Sequence, residues 1–371
     1  LGDLTIFDKE ANMRIKNIAS LLLLLGLLLL PQSCPAWEDF PRDDQRNYLD
    51  YSSDADKEED YYPGITDDNP YYEDSTSVES GEDSLGLPSD AGSVETPPLP
   101  ARPAPLPPGP AIDLKTKSIR FGRIPYVSLR ELMTKAVPLL SFLKKETGAQ
   151  EVRLVSNRKD YASVLDALAR GNIDFAWVGP TAYLARRDKD KLMPVAKAKF
   201  GTRTEYRGVF IALANGKVQG LEDIKGVTVG FVDPESASGY LYPLYLLFRL
   251  KINPYKDSRV AFLHNHDNVV RAVLAGKVDV GACLEATLTS LAPELQKKLI
   301  VLAKTNDIPS DVIVCRQDCP LNLRESFLKA LLKVDAKAMP AGSPSFLAAV
   351  DEDFTAVEEL MRYIDSLKTR K

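Results

Sequence analysis

Histidine is almost absent from this 371-residue chain, which carries only His264 and His266. Cysteine is nearly as scarce, with four residues. Zinc is held by closed sets of histidine, cysteine and carboxylate ligands, and two histidines with the cysteines far along the chain do not make one. No Walker loop, G-x-G-x-x-G fingerprint or G-x-S-x-G elbow occurs, so the usual marks of nucleotide, dinucleotide and hydrolase chemistry are missing. A net charge of −5 offers nucleic acid no general attraction. Beyond Leu30 no apolar run is long enough to span a membrane.

What is present begins with an export signal. The basic stretch "MRIKN" from Met13 is followed by "LLLLLGLLLL", Leu21 to Leu30. An apolar run of about fourteen residues fits the hydrophobic core of a signal peptide and is short for a membrane span. A small-residue cleavage site after Ala36 closes a signal peptide over 13–36. Cys34 offers lipid attachment as an alternative, although Pro31 and Gln32 depart from a lipoprotein signal. The mature protein is expected to be exported to the periplasm, with at most an N-terminal tether.

Residues 37–117 show no sustained period. The first part holds about nineteen acidic residues against about three basic ones, and the second is the proline-rich "PPLPARPAPLPPGPA". Such composition buries too little apolar surface to offset chain entropy, so a disordered acidic linker and a polyproline spacer are expected. With its acidity set aside, the remaining body is net basic by roughly ten charges.

From Ser118 onward strands alternate with helices, which predicts an α/β body with largely parallel sheets. Within it lies an internal repeat: "DYASVLDALARGNIDFAWVG" (160–179) aligns without gaps on "NHDNVVRAVLAGKVDVGACL" (265–284). Gly171 falls on Gly276, Asp174 on Asp279, and Tyr161 on His266. Two copies of one βαβ piece imply two lobes of similar design. Ligands of open α/β sheets bind beyond the carboxyl ends of strands, so Tyr161 and His266 are expected to face each other across a cleft. A third element, "VDPESASGYLYP" (232–243), leads a strand into small residues and a helix start, a natural oxyanion cradle. Ser236 or Ser238 could equally serve only as a helix cap. Cys315 and Cys319, in "CRQDCP", could close a small disulfide loop, and Cys283 with Cys315 is a second pairing.

Taken together, "KDYASVLDALARGNIDFAWVGPTAY", "GFVDPESASGYLYP", "NHDNVVRAVLAGKVDV" and "IPSDVIVCR" resemble the phosphate/phosphite/phosphonate-binding periplasmic proteins of ABC transporters, a branch of the type 2 periplasmic binding proteins. The resemblance covers about residues 118 to 350. It implies a two-lobed fold, lobe one at 118–214 plus 312–371 and lobe two at 215–311, hinged near Ala214 and Asp311. It also implies that Ser236, Ala237 and Ser238, with Tyr161, Tyr206 and His266, hold the oxyanion. Asp311 and Glu285 match the residues that hold an amine on the ligand. Ala237 stands where the family has threonine, and Glu285 is one residue out of register, so a smaller ligand such as phosphate, phosphite or methylphosphonate is expected. The implied partners are the oxyanion and an ABC transporter permease, with a monomeric protein, no cofactor, no metal and no nucleic acid. The alternative is a periplasmic sensor of oxyanions, arsenic oxyanions included, that presents its ligand to a membrane kinase. An acid–base enzyme using Tyr161, His266 and Glu285, or a scaffold working through its acidic linker, are the readings from other classes.

Overall fold

The computed structural model describes residues 104–156 and 160–369. The expected signal peptide, Cys34 and the acidic part of the linker therefore lie outside the described residues. Among the described residues, no helix is long and apolar enough to cross a membrane.

The first lobe opens with β1 (Ser118–Arg123), α1 (Leu129–Thr147), β2 (Glu151–Val155), α2 (Tyr161–Ala169), β3 (Phe175–Val178), α3 (Pro180–Arg187) and β4 (Leu192–Lys199). Strand β5 (Glu205–Tyr206) crosses to the second lobe. That lobe holds β6 (Gly208–Leu213), β7 (Thr228–Phe231), a π-helical turn (Ala237–Leu241) running into α4 (Tyr242–Arg249), β8 (Arg259–Phe262), α5 (His266–Leu274), β9 (Val280–Leu284) and β10 (Leu299–Lys304). The chain returns through β11 (Ile308–Pro309) to β12 (Val312–Arg316), α6 (Leu321–Leu332), β13 (Ser345–Ala348) and α7 (Thr355–Thr369). Local chemistry explains the helix limits. Ser128 caps α1 by accepting the Glu131 N–H, and Gly148 ends it at φ 68°, a left-handed conformation that favours glycine.

One sheet has the order β13-β4-β12-β3-β1-β2, and the other β10-β6-β9-β7-β8. Both are mixed rather than largely parallel. Helical crossovers make β2-β1-β3 and β8-β7-β9 parallel. Strands β12 and β6 enter from the crossing segments at the end where β3 and β9 finish, so they pair antiparallel with them.

The sequence repeat is a structural repeat. Helices α2 and α5 each span nine residues, and the caps Asp160 and Asn265 accept the N–H groups of Ser163 and Asn268. Gly171 (φ 74°) and Gly276 (φ 67°) turn the chain out of each helix. Asp174 then accepts the Arg120 N–H at 2.7 Å, as Asp279 accepts the Thr228 N–H at 2.8 Å. Each aspartate thereby ties its strand to the neighbour it will pair with.

Three expected boundaries move. Strand β6 lies in the second lobe's sheet, so the crossing point is the β5–β11 pair, Tyr206 opposite Ile308, and not Ala214. The reason is hydrogen bonding: 208–213 pairs with β9 and β10 and, among the described residues, with no strand of the first lobe. Helix α7 belongs to both lobes. Glu358 pairs with Arg187 of the first, whereas Ile364 is buried in the second lobe's core and Tyr363 packs edge-on against Tyr245. Finally, the end of the proline-rich spacer docks on the first lobe. The Asn322 side-chain amide bonds both backbone groups of Ile112, and the Gly109 N–H donates to Asp318 O.

The first lobe's core is aromatic on one side of its sheet, where Phe175 stacks on Phe327 at 4.0 Å between ring centroids. Burying such a side chain stabilises the fold by about 1.5–3 kcal/mol. A second apolar cluster runs unbroken from Leu165 and Val164 to Val232, Ala237 and Val269, and so crosses from lobe to lobe. The cleft is built on that junction.

Candidate functional site

The lobes are closed on each other. The Ser128 N–H donates to the Asp267 carboxylate at 2.9 Å and the His266 N–H to the Tyr126 carbonyl at 3.1 Å. Nearby, the Tyr161 N–H donates to Asp233 at 3.3 Å, and the Thr181 hydroxyl donates to the Glu235 carbonyl. Helix starts of each lobe thus meet strand ends of the other, because the repeat puts a helix N-terminus at the same edge of both sheets.

Tyr161, the first residue of α2, is 2% exposed, with its hydroxyl beside Ser236. Burial, with Asp233 and Asp311 nearby, holds its hydroxyl well above the usual phenol range. Ser236 also accepts the Gly239 N–H at 3.0 Å, so it caps the following turn and meets Tyr161 at once. Ala237 and Ser238 follow it and are buried. The turn they open is π-helical, with the Leu241 N–H donating to Ser236 O. Gly208 lets this turn come close: a Cβ there would lie 2.4 Å from the Ser238 carbonyl oxygen.

His266 is 4% exposed. Its Nδ1 accepts the Leu284 N–H at 2.9 Å, which places the proton of the neutral ring on Nε2 as a donor. Burial lowers its pKa to about 3, so the ring is neutral at physiological pH. His264, by contrast, is half-buried in the loop after β8 at φ 69°.

Tyr206 stands on the crossing strand β5 with its hydroxyl beside the Asp311 carboxylate. Burial and Asp311 raise its hydroxyl's pKa, so it too is protonated. Asp311 is shared with Arg123, whose guanidinium donates to it at 3.1 Å. Burial pushes the Asp311 pKa up, against the pull of Arg123. Glu285 does not join this group: its carboxylate pairs with Lys304, half-exposed on the second lobe's surface. The one-residue register shift puts Glu285 at the start of a helical turn whose side chain turns outward, leaving its backbone N–H on Arg207 O.

A family model for the periplasmic substrate-binding protein of phosphonate ABC transporters matches residues 121–360. The chain belongs to this family. The phosphate-import protein PhnD of Mycolicibacterium smegmatis is 32% identical over 176 residues, 44% of this chain and 54% of that protein. The phosphonates-binding periplasmic protein of Escherichia coli K12 is 28% identical over 210 residues, 54% of this chain and 62% of that protein. The chain thus spans less than two thirds of either relative. The binding-protein component of a Pseudomonas aeruginosa ABC phosphonate transporter superposes with a TM-score of 0.62 at 26% identity, covering 66% of this chain and 86% of that one. PhnD1 of Prochlorococcus marinus, solved with methylphosphonate, shares the fold at a TM-score of 0.60 and 18% identity, covering 68% and 99%.

Within this phosphonate-binding family member, several cleft residues escaped the sequence reading. Arg123 is 5% exposed at the end of β1, with its guanidinium carbon 4.0 Å from the Trp177 ring and 4.3 Å from the Tyr126 ring. One arginine in "IRFGRIPY" reads as an ordinary surface cation, and only the sheet order β12-β3-β1 brings it to Asp311. Tyr242 is buried beside Ala237, with a pKa raised by burial to about 12. Asp233 and Asp267, which join the lobes, sit beside residues that the motifs did single out, Ser236 and His266. Their position was legible, but their interlobe partners were not.

Proposed function

We propose that this chain captures a phosphonate, phosphite, phosphate or similar small oxyanion between its lobes and delivers it to an ABC transporter permease. One observation carries the reading. Buried, protonated donors from both lobes gather at one junction: the hydroxyls of Tyr161, Ser236 and Ser238 and the neutral imidazole of His266, with Tyr206 at the crossing strand. Neutral donors at helix starts suit an anion. Each charge-assisted hydrogen bond contributes about 1.5–3 kcal/mol, so several suffice for micromolar binding, about 8 kcal/mol. Closure of the lobes by hinge motion at β5 and β11 couples ligand to shape, since the donors converge only when the lobes meet.

The names of the Escherichia coli and Mycolicibacterium smegmatis relatives support phosphonate or phosphate as the ligand class. No observation favours the sensor reading. In this account the protein works outside the cytoplasmic membrane as a monomer, and a lipid on Cys34 would serve as its tether. Calorimetric titration of the purified protein with phosphate, phosphite and methylphosphonate tests the proposal. Saturable binding that weakens at least about tenfold in a Ser236→Ala/Ser238→Ala double variant is expected. No binding of any of the three sinks it.

A further inference from the structure

Among the described residues, Arg123 is a buried cation beside Tyr126 and Asp311, and its environment is built around it. The guanidinium is held by the Trp177 carbonyl at 3.0 Å, the Asp311 carboxylate at 3.1 Å and two flanking aromatic rings. It sits on β1 directly across from Trp177 on β3, and Asp311 stands just before β12 on the far side of β3. A carboxylate beside an oxyanion site has two effects when unpaired: it repels the anion, and it accepts any positive group the ligand carries. Here the pairing removes both. The Asp311 carboxylate is held by Arg123, with the Tyr206 hydroxyl beside it. Asp233, the other carboxylate close to Tyr161, is occupied by the N–H groups of Tyr161 and Glu235. Glu285 is turned away to Lys304.

Resting on the oxyanion reading above, we propose that Arg123 determines the specificity of this cleft. By neutralising Asp311 it confines the ligand to a small tetrahedral oxyanion without a cationic tail. Arg123 acts through Asp311 and Tyr206, so it is a positioning residue for the Tyr206 hydroxyl as well as the source of compensating charge. An ammonium on the ligand finds Asp311 already paired and lies against a guanidinium, which a buried site penalises.

The test is the ratio of two affinities, methylphosphonate against aminoethylphosphonate, measured by calorimetry on the wild-type full chain and on Arg123→Ala. Wild type is expected to prefer methylphosphonate by at least about tenfold, and Arg123→Ala to lose that preference as Asp311 is freed. Arg123→Met keeps the aliphatic stem between the rings and serves the same purpose should Arg123→Ala not fold. Equal or tighter binding of aminoethylphosphonate by wild type overturns the inference, as does an unchanged ratio in the folded variant. Either result leaves oxyanion binding itself standing. Absence of binding to both ligands in wild type overturns this inference, and the oxyanion reading falls with it only if phosphate and phosphite also fail to bind.

Discussion

Asp267, in the first turn of α5, accepts the backbone N–H of Ser128, the cap of α1, across the lobe junction at 2.9 Å. A carboxylate at a helix start is favoured by the unpaired N–H groups there, and this one belongs to the opposite lobe. The bond exists only when the lobes meet, so it stabilises closure and not the fold of either lobe. Asp267→Ala is expected to weaken oxyanion binding by about 1 kcal/mol, roughly fivefold. The melting temperature of an isolated second lobe should move far less. Calorimetry and a thermal melt separate the two effects.

Glu235 gives closure a pH dependence. Burial, and then the neighbouring Asp233 charge, raise its pKa to about 7. Asp160, Asp166 and Arg186 of the first lobe also face it, and its Oε2 is buried with no hydrogen-bond partner among the described residues. Opening returns the group toward the ordinary glutamate value of about 4.3. The closed form therefore binds the extra proton, and closure is favoured as pH falls through about 7. Affinity of Glu235→Gln should lack the part of the pH dependence that wild type shows above the usual carboxylate range. Titration of the ligand itself cancels when the two proteins are compared at each pH. Identical profiles would contradict the assignment.

How much could be read beforehand depended on whether the signal was local. Caps, glycine stops and the Asp174/Asp279 pair obey sequence periodicity, so the repeat, with Tyr161 and His266 each opening its helix, was visible in the chain. Sheet membership was not. Residues 208–213 read as a strand in either lobe, and only pairing with β9 and β10 assigns them to the second. The same holds for Arg123: its burial is made by Trp177, Tyr126 and Asp311, the last of these 188 positions away. Glu285 was misplaced for a simpler reason, since one position of register turns a side chain to the other face.

Gly208 offers a steric test of the cradle. A Cβ at this position meets the Ser238 carbonyl oxygen at 2.4 Å, a backbone atom that cannot rotate aside, so the turn must shift. Gly208→Ala is expected to weaken oxyanion binding by more than about tenfold through displacement of Ser238. The circular dichroism of the protein should change little. Unaltered affinity would show that the Ser238 turn does not contact the ligand.

Cys315 and Cys319 are buried, and their thiols lie beside each other across the turn that follows β12. That contact, then burial, raises the Cys315 pKa, while the same contact lowers that of Cys319. In an oxidising compartment the pair is expected to close to a disulfide. The two thiols would give up two protons and two electrons to a disulfide oxidant such as oxidised glutathione. Mass spectrometry of the oxidised protein should find the peptide of both cysteines lighter by two hydrogens, with Cys283 still a thiol. Alkylation of all three after oxidation would refute the pairing.

His266 separates framework from ligand chemistry most sharply. Its Nδ1 is committed to the Leu284 N–H, so any ligand contact must use Nε2–H. In His266→Ala the Leu284 N–H loses its acceptor, which costs about 1–3 kcal/mol of stability whether or not the ring touches an anion. Affinity distinguishes the cases: a donor to the oxyanion predicts a loss of about 1.5–3 kcal/mol in binding as well, roughly ten- to a hundredfold. The pH dependence of stability is a second readout. Because the buried ring has its pKa lowered to about 3, the unfolded chain takes up a proton that the folded one refuses. Stability should therefore fall as pH drops below the ordinary histidine value of about 6.5, and keep falling toward about 3. His266→Gln removes that slope. A variant that melts lower yet binds the anion as wild type does would return His266 to the framework and leave the hydroxyls of Tyr161, Ser236 and Ser238 to hold the ligand.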